Sequence, residues 1–159
     1  MKIRVGFGYD VHNLVHNREL WLGGLQIPHE MGLQGHSDAD VLIHAICDAL
    51  LGAAHLRDIG YHFSDKDPAY KDANSMKLLE KVLVMISDKG YKVQSVSAVI
   101  MAEKPKLLKH IPVITKNLAN ALNLSIDKVG IGATTLEGLG FVGREEGICV
   151  HASAVLVKE

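Results

Sequence analysis

The chain is predicted to fold as one α+β domain over residues 1–159, with helices packed on one face of a mixed, mainly antiparallel four-stranded sheet and a small hairpin beside it. Three observations carry this. Strand-like and helix-like segments are interleaved in the order strand, hairpin, helix, loop, helix, strand, helix, strand, strand, as expected for helices laid on a sheet. A length of 159 residues suits one domain whose core needs no covalent staples. Aromatic residues make up only 5% of the chain, so its interior must be built from Val, Ile, Leu and Ala, which suits close helix-on-sheet packing.

Residues 3–10 read as the first strand, and Gly6 and Gly8 within it mark a close approach by another backbone or a ligand. Leu20 to Ile27 reads as a hairpin turning at Gly23-Gly24. Ser37 followed by Asp40 is a capping-box-like start, Asp38 and Asp40 suit the positive helix end, and Val41 to Ala54 runs as an apolar helix. Arg57 to about Asp72 is polar, punctuated by Gly60 and Pro68 and without period, which predicts a functional loop. Asn74 or Ser75 caps the next helix, which keeps Leu78, Leu79, Val82, Met85 and Ile86 on one side and stops at Gly90. Lys92 to Met101 reads as a strand. Ile111-Pro112 opens a third helix, with Asn123 near its end. Val129 to Thr134 is a short strand and Gly147 to Val157 a longer one.

A net charge of −1 without a Lys/Arg cluster argues against nucleic-acid binding by counterion release. The longest apolar runs are broken within a few residues, so no membrane span is expected. Met1-Lys2-Ile3-Arg4 leads directly into a strand rather than into a signal-peptide apolar region; a bacterial cytoplasmic protein is expected, and a processed plastid protein would read the same. Cys47 in a helix and Cys149 in a strand read as buried free thiols.

Asp10 and His12 are two apart in an extended segment, so they share a face and can grip one ion. His44 from the first helix would supply a third ligand and leave an open tetrahedral position, the mark of a catalytic zinc. Against this stands the ease with which a D-x-H triplet arises by chance among nine histidines. Asp40, His44 and Asp48 recur every four residues, as a solvated face or as a buried polar site, and the apolar flanks favour the latter. His44 and Cys47 form a rival ligand pair without thiolate partners. His36-Ser37-Asp38-Ala39-Asp40 gathers polar groups where helix N–H groups favour an anion, although each of them also suits a cap. Lys104-Pro105-Lys106-Leu107-Leu108 puts lysines beside a proline directly after a strand, as a solvated turn or a phosphate-holding one, and Gly132 to Glu137 ends a strand with two hydroxyls and a carboxylate suited to phosphate and a hard cation. Gly138 to Gly143 fits G-x-G-x-x-G, but it runs into a polar turn and a strand rather than opening a helix, so its glycines are expected to make a tight turn, or to let backbone approach a ligand or another subunit, rather than to form a dinucleotide site. Together these features point to phosphoryl chemistry on a small, multiply phosphorylated substrate.

Gly8-Tyr9-Asp10-Val11-His12, His36 through Ala45, Asp58-Ile59-Gly60, Lys104-Pro105-Lys106 and Ala133-Thr134-Thr135 through Gly143-Arg144 strongly resemble the 2-C-methyl-D-erythritol 2,4-cyclodiphosphate synthase family, in order along the whole chain. The resemblance implies a phosphorus–oxygen lyase of the non-mevalonate isoprenoid pathway, converting 4-diphosphocytidyl-2-C-methyl-D-erythritol 2-phosphate to the 2,4-cyclodiphosphate with release of CMP. The substrate's own 2-phosphate attacks the β-phosphorus, so positioning and charge neutralisation are what the protein must supply. It further implies Asp10, His12 and His44 as ligands of one zinc per subunit, and Glu137 as ligand of a second divalent ion, Mg²⁺ or Mn²⁺. His36 and Thr135 join these as catalytic positions. His36, Ser37, Asp58, Gly60, Phe63 and Asp65 match the methylerythritol phosphate site; Ala102, Pro105, Lys106, Leu107 and Leu108 match the cytidine pocket; Ala133, Thr134 and Thr135 match phosphate contacts. Family members are homotrimers with active sites between subunits, in which Phe141 and Arg144 lie near a central cavity that can hold an isoprenoid diphosphate.

This sequence departs from the family's usual pattern at Ser64, often proline, at Leu136, often threonine, and at Glu145, often glycine. Ser64 is expected to loosen the substrate loop, Leu136 to remove a hydroxyl near the phosphates, and Glu145 to pair with Arg144 and weaken anion binding there. Two rival readings stand beside the resemblance: a zinc-dependent phosphoester hydrolase, and a non-catalytic trimer that binds metal or isoprenoid diphosphate.

Overall fold

The computed structural model describes all 159 residues. Its strands are β1 (Lys2–His16), β2 (Leu20–Leu22), β3 (Leu25–Ile27), β4 (Met31–Leu33), β5 (Lys92–Met101), β6 (Val129–Thr134) and β7 (Gly147–Lys158). Its helices are α1 (Val41–Ala53), α2 (Ile59–His62), α3 (Ser75–Asp88), α4 (Ile111–Leu122) and α5 (Gly140–Gly143). The main sheet runs β4-β1-β7-β5-β6, and β2 and β3 pair as the expected hairpin. Only β5 and β6 are parallel; the other neighbours are antiparallel.

The sheet therefore has five strands, not the four expected. β4 spans only three residues, too few for an alternation to register, and it pairs with Leu14–His16, drawing β1 well past Asp10. The segment expected as a loop after Arg57 also contains α2 and a 3₁₀ turn at Pro68–Tyr70. Each is a single turn held by its own carboxylate: Asp58 accepts from the Tyr61 N–H and Asp67 from the Ala69 N–H. Structures this short show no hydrophobic period.

Helix α1 runs from Val41 as expected, with Asp40 rather than Ser37 as its N-cap. The Asp40 side chain accepts from the Ile43 N–H and also from the N–H groups of Gly23 and Gly24, tying the hairpin to the helix start. Asp40 is fully buried, and burial pushes its carboxyl up to about 6 against the pull of the three amides. Nearly every α1 side chain is buried, as expected for a helix apolar all round and enclosed on several sides. Its contact with β1 is backbone on backbone. A Cβ added to Gly8 would lie 1.9 Å from the Ala45 carbonyl oxygen, and one on Gly6 2.0 Å from that of Ala49. The close approach read from these glycines is thus to α1.

Asn74 caps α3 by accepting from the Met76 N–H, and Gly90 follows its end at φ +78°. Pro112 sits in the first turn of α4, and Asn123 closes it at φ +53°. The G-x-G-x-x-G segment folds into the one-turn α5 with Gly143 packed against the Gly138 backbone, a tight turn. Helices cover one face of the sheet over a single cluster of buried residues. The other face leaves Ile3, Val5, Phe7, Tyr9 and Val11 of β1 and Val99 of β5 exposed. Cys47 and Cys149 are buried and free. No helix is long and apolar enough to cross a membrane.

Candidate active site

The strand alternation of β1 points Asp10 and His12 to the helix-covered face, and the Gly8–Ala45 contact brings α1 close enough for His44 to meet them. Asp10 Oδ2 lies 3.2 Å from His12 Nδ1 and 3.3 Å from His44 Nδ1. One ligand atom from each residue falls within 4.8 Å of the others. Asp10 Oδ2 and His12 Nδ1 are buried without a hydrogen-bond partner. Buried polar atoms are rarely left so, and a cation among them resolves the deficit, so the donor set fits a divalent metal. Burial lowers the His12 pKa, against the attraction of Asp10. Burial also works against charge on His44, but the Asp10 carboxylate, with Asp40 and Asp38 behind it, outweighs this and raises that imidazole above its ordinary value.

These three residues line a cavity of about 320 Å³ together with Gly35, His36, Ser37, Asp48, Ile59, Gly60, Phe63, Asp65 and Tyr70. Of the residues expected to hold the methylerythritol phosphate, only Asp58 is not among its lining, being turned to capping α2. Burial raises the Asp48 carboxyl, which accepts from the Ile59 N–H at 2.9 Å and anchors α2 to α1. The polar stripe on α1 thus divides: Asp40 holds the hairpin, while His44 and Asp48 face the cavity. His44 does not join Cys47, whose buried thiol is pushed up in pKa, chiefly by desolvation. Ser64 closes a turn, its hydroxyl accepting from the Lys66 N–H and its carbonyl from the Asp67 N–H.

A second cavity, of about 400 Å³, lies where β5 and β6 end beside α4. Ala102, Pro105, Lys106, Leu107, Leu108, Ala133, Thr134 and Thr135, all singled out in the sequence, line it with Glu103, Ile111, Pro112 and Ile131. No residue lines both cavities. Glu137 is exposed on the turn that follows β6, at φ +54°. Sequence reasoning missed what holds this turn: Glu103 accepts from the N–H groups of Leu136 and Gly138 at 3.1 and 3.2 Å. It also missed Arg18, which donates to the carbonyls of Gly35 and Ser37 and so fixes the loop carrying His36. Both contacts are remote in sequence and leave no local pattern.

Phe141 and Arg144 line neither cavity. Arg144 pairs with Glu146 at 2.8 Å, not with Glu145 as expected; Glu145 turns away at φ +60° and meets Lys104 at 3.2 Å. The left-handed backbone at Glu145 aims its side chain at the cavity loop instead.

A profile of the YgbB family matches residues 3–157. A 2-C-methyl-D-erythritol 2,4-cyclodiphosphate synthase of Phocaeicola vulgatus is 58% identical over 158 residues, 99% of each chain. Among solved structures, a synthase of the same name with CDP bound has 34% identity and a TM-score of 0.90, over 97% of this chain and all of that one. The bifunctional IspDF of Campylobacter jejuni has 42% identity and a TM-score of 0.94; this chain is covered to 98% and spans 42% of that longer one.

Proposed function

The chain belongs to the YgbB family, and from that premise we propose that it converts 4-diphosphocytidyl-2-C-methyl-D-erythritol 2-phosphate to 2-C-methyl-D-erythritol 2,4-cyclodiphosphate, releasing CMP in isoprenoid precursor synthesis, with residues 1–159 as one catalytic domain. The observation that carries this reading is the pairing of a three-ligand centre with a separate, largely apolar cavity rimmed by Lys106 and two threonines. The first suits a phosphate and the second a nucleoside.

The reaction is an internal displacement in which a phosphate oxygen of the substrate attacks the β-phosphorus and CMP departs. No atom of the protein becomes bonded to phosphorus. Asp10, His12 and His44 would hold a zinc ion, which would supply Lewis acidity toward a substrate phosphate. His36, Ser37, Gly60, Phe63 and Asp65 surround the methylerythritol part, with Asp58 at the rim. Backbone groups of 102–108 read the base edge, and Lys106 offsets negative charge beside it. Thr134 and Thr135 donate to phosphate oxygens, and Glu137 would hold a second divalent ion, Mg²⁺ or Mn²⁺, which would offset negative charge on the nucleotide phosphates. Holding both ends of one molecule supplies the effective concentration that makes such a closure fast.

The proposed assembly is a homotrimer with active sites between subunits. The row of Ile3, Val5, Phe7, Tyr9 and Val11 supports it, because a contiguous apolar sheet face of this kind calls for a covering partner. Arg144 stands exposed beside Glu146, and an exposed pair holds weakly, so an isoprenoid diphosphate near Phe141 can displace the carboxylate.

Phosphorus NMR of the products in ¹⁸O-labelled water tests the reaction. Cyclic diphosphate plus CMP, both free of ¹⁸O, is the expected result. A linear, labelled product establishes the zinc hydrolase instead, and ligand binding without turnover establishes a non-catalytic trimer.

A further inference from the structure

We propose that Ser75 and Asp38 are positioning residues that fix which ring nitrogen His44 offers to the metal, an inference that rests on the metal reading of Asp10, His12 and His44. The His44 ring lies between two unlike surroundings. Its Nδ1 is 3.3 Å from Asp10 Oδ2, at the ligand centre. Its Nε2 is 2.9 Å from the hydroxyl of Ser75, a residue with no exposed surface.

The direction of each proton follows from what Ser75 touches. Its hydroxyl donates to Asp38 Oδ1. Asp38 Oδ2 accepts from the Ser75 N–H at 2.9 Å, and Oδ1 accepts also from the Asp40 N–H at 3.1 Å. Each of these neighbours donates to the Asp38 side chain, which acts here as an acceptor. With its one proton committed to Asp38, the Ser75 hydroxyl has only a lone pair to turn toward His44. The neutral imidazole must therefore carry its proton on Nε2, which leaves the Nδ1 lone pair for a cation held with Asp10 and His12. Ser37 Oγ lies farther off, 3.4 Å from Nε2, and accepts from the Ala39 N–H.

The relay is held on three elements. Asn74 takes the capping role at α3, leaving Ser75 free to face inward. The Asp38 N–H donates to the Ala73 carbonyl at 3.2 Å and the Asp72 N–H to the His36 carbonyl at 2.6 Å, zipping the loop before α1 to the start of α3. A carboxylate reached through a second hydrogen-bonding group orients a metal-binding histidine and raises its basicity, and losing such a partner typically weakens metal binding about 10–100-fold.

The test uses the full chain with ¹⁵N-labelled histidine, zinc affinity from chelator competition, and ¹¹³Cd as a magnetic probe of the same site. In the wild type the expected result is ¹¹³Cd coupling to His44 Nδ1, with a slowly exchanging proton on Nε2. Ser75→Ala and Asp38→Asn should each bind zinc about 10–100-fold more weakly, with an unchanged circular dichroism spectrum and faster exchange at Nε2. Coupling through Nε2 overturns the proposal whether or not the variants fold, as does unchanged zinc affinity in a folded Ser75→Ala. A wild type that binds no zinc sinks the metal reading itself. Zinc bound by Asp10, His12 and His44 but indifferent to Ser75 sinks the relay alone.

Discussion

Replacing Gly8 by alanine puts a methyl group where the backbone of α1 already lies. The new Cβ would sit 1.9 Å from the Ala45 carbonyl oxygen, whereas an ordinary contact needs about 3.5 Å, so the helix must retreat by about 1.5 Å. His44 precedes Ala45 in the chain and retreats with it. Metal–ligand distances tolerate about 0.2 Å, so His44 leaves the ligand set while Asp10 and His12 stay on their strand. Overpacking against rigid backbone costs about 3 kcal/mol, the upper end of its usual range. For a chain of this size that lowers the Tm by about 6–12 °C. Differential scanning fluorimetry and zinc competition on the same sample should therefore show a lower Tm together with at least about 100-fold weaker zinc binding. Gly52→Ala, two turns along α1 and also beside β1, is the control: its Cβ meets the Phe7 carbonyl oxygen at 3.8 Å, an ordinary contact, and helix propensity gains it about 1 kcal/mol. A Gly8→Ala protein with wild-type Tm and wild-type zinc affinity would refute the backbone contact as the determinant of metal spacing.

Phe7→Asp, at a side chain 78% exposed on the single chain, should convert the proposed trimer to monomer in light scattering while the helical signal persists; an unchanged mass removes this face from the interface. Glu145→Gly should raise stability by about 0.5 kcal/mol, because relief of the left-handed backbone at φ +60° slightly exceeds the added freedom of the unfolded chain, and a lower denaturation midpoint counts against this. The raised pKa of His44 gives stability to the metal-free fold that is fully present below about pH 6.5 and is lost as pH rises through the raised value. Zinc needs the neutral ring, so its affinity should move the opposite way and fall as pH drops through that same value; an affinity flat between about pH 5 and 9 contradicts the assignment.

Elements with local punctuation were readable in advance. Asp40 and Asn74 at helix starts, Pro112 in a first turn, Gly23-Gly24 in the hairpin and Asn123 at a helix end each act within a few residues of themselves. β4 escaped because a three-residue edge strand is defined by its partner Leu14–His16 and not by its own pattern. The ligand set was readable because the strand period puts Asp10 and His12 on one face; the glycines before them marked a close approach by another backbone or a ligand, and the fold shows it to be α1. The residues that hold the site in place were not. Ser75 reaches His44 across 31 positions, Glu103 reaches Leu136 and Gly138 across 33 and 35, and Arg18 reaches Ser37 across 19. A serine at a helix start looks like a cap, and only the fold shows that its neighbour has taken that role. Glu145 was misjudged for a related reason, since adjacency in sequence says nothing about direction once the backbone turns left-handed.

The two cavities share no lining residue, and this has a consequence for mixed assemblies. In the proposed trimer each reaction centre draws its ligand half from one copy and its nucleoside half from the next. Subunits carrying Asp10→Asn and subunits carrying Lys106→Ala are each inactive alone, yet an equal mixture reassembled from both leaves roughly a quarter of the interfaces with two intact halves. Two variants that are each inactive can then recover turnover when mixed, whereas two variants damaged in the same cavity cannot.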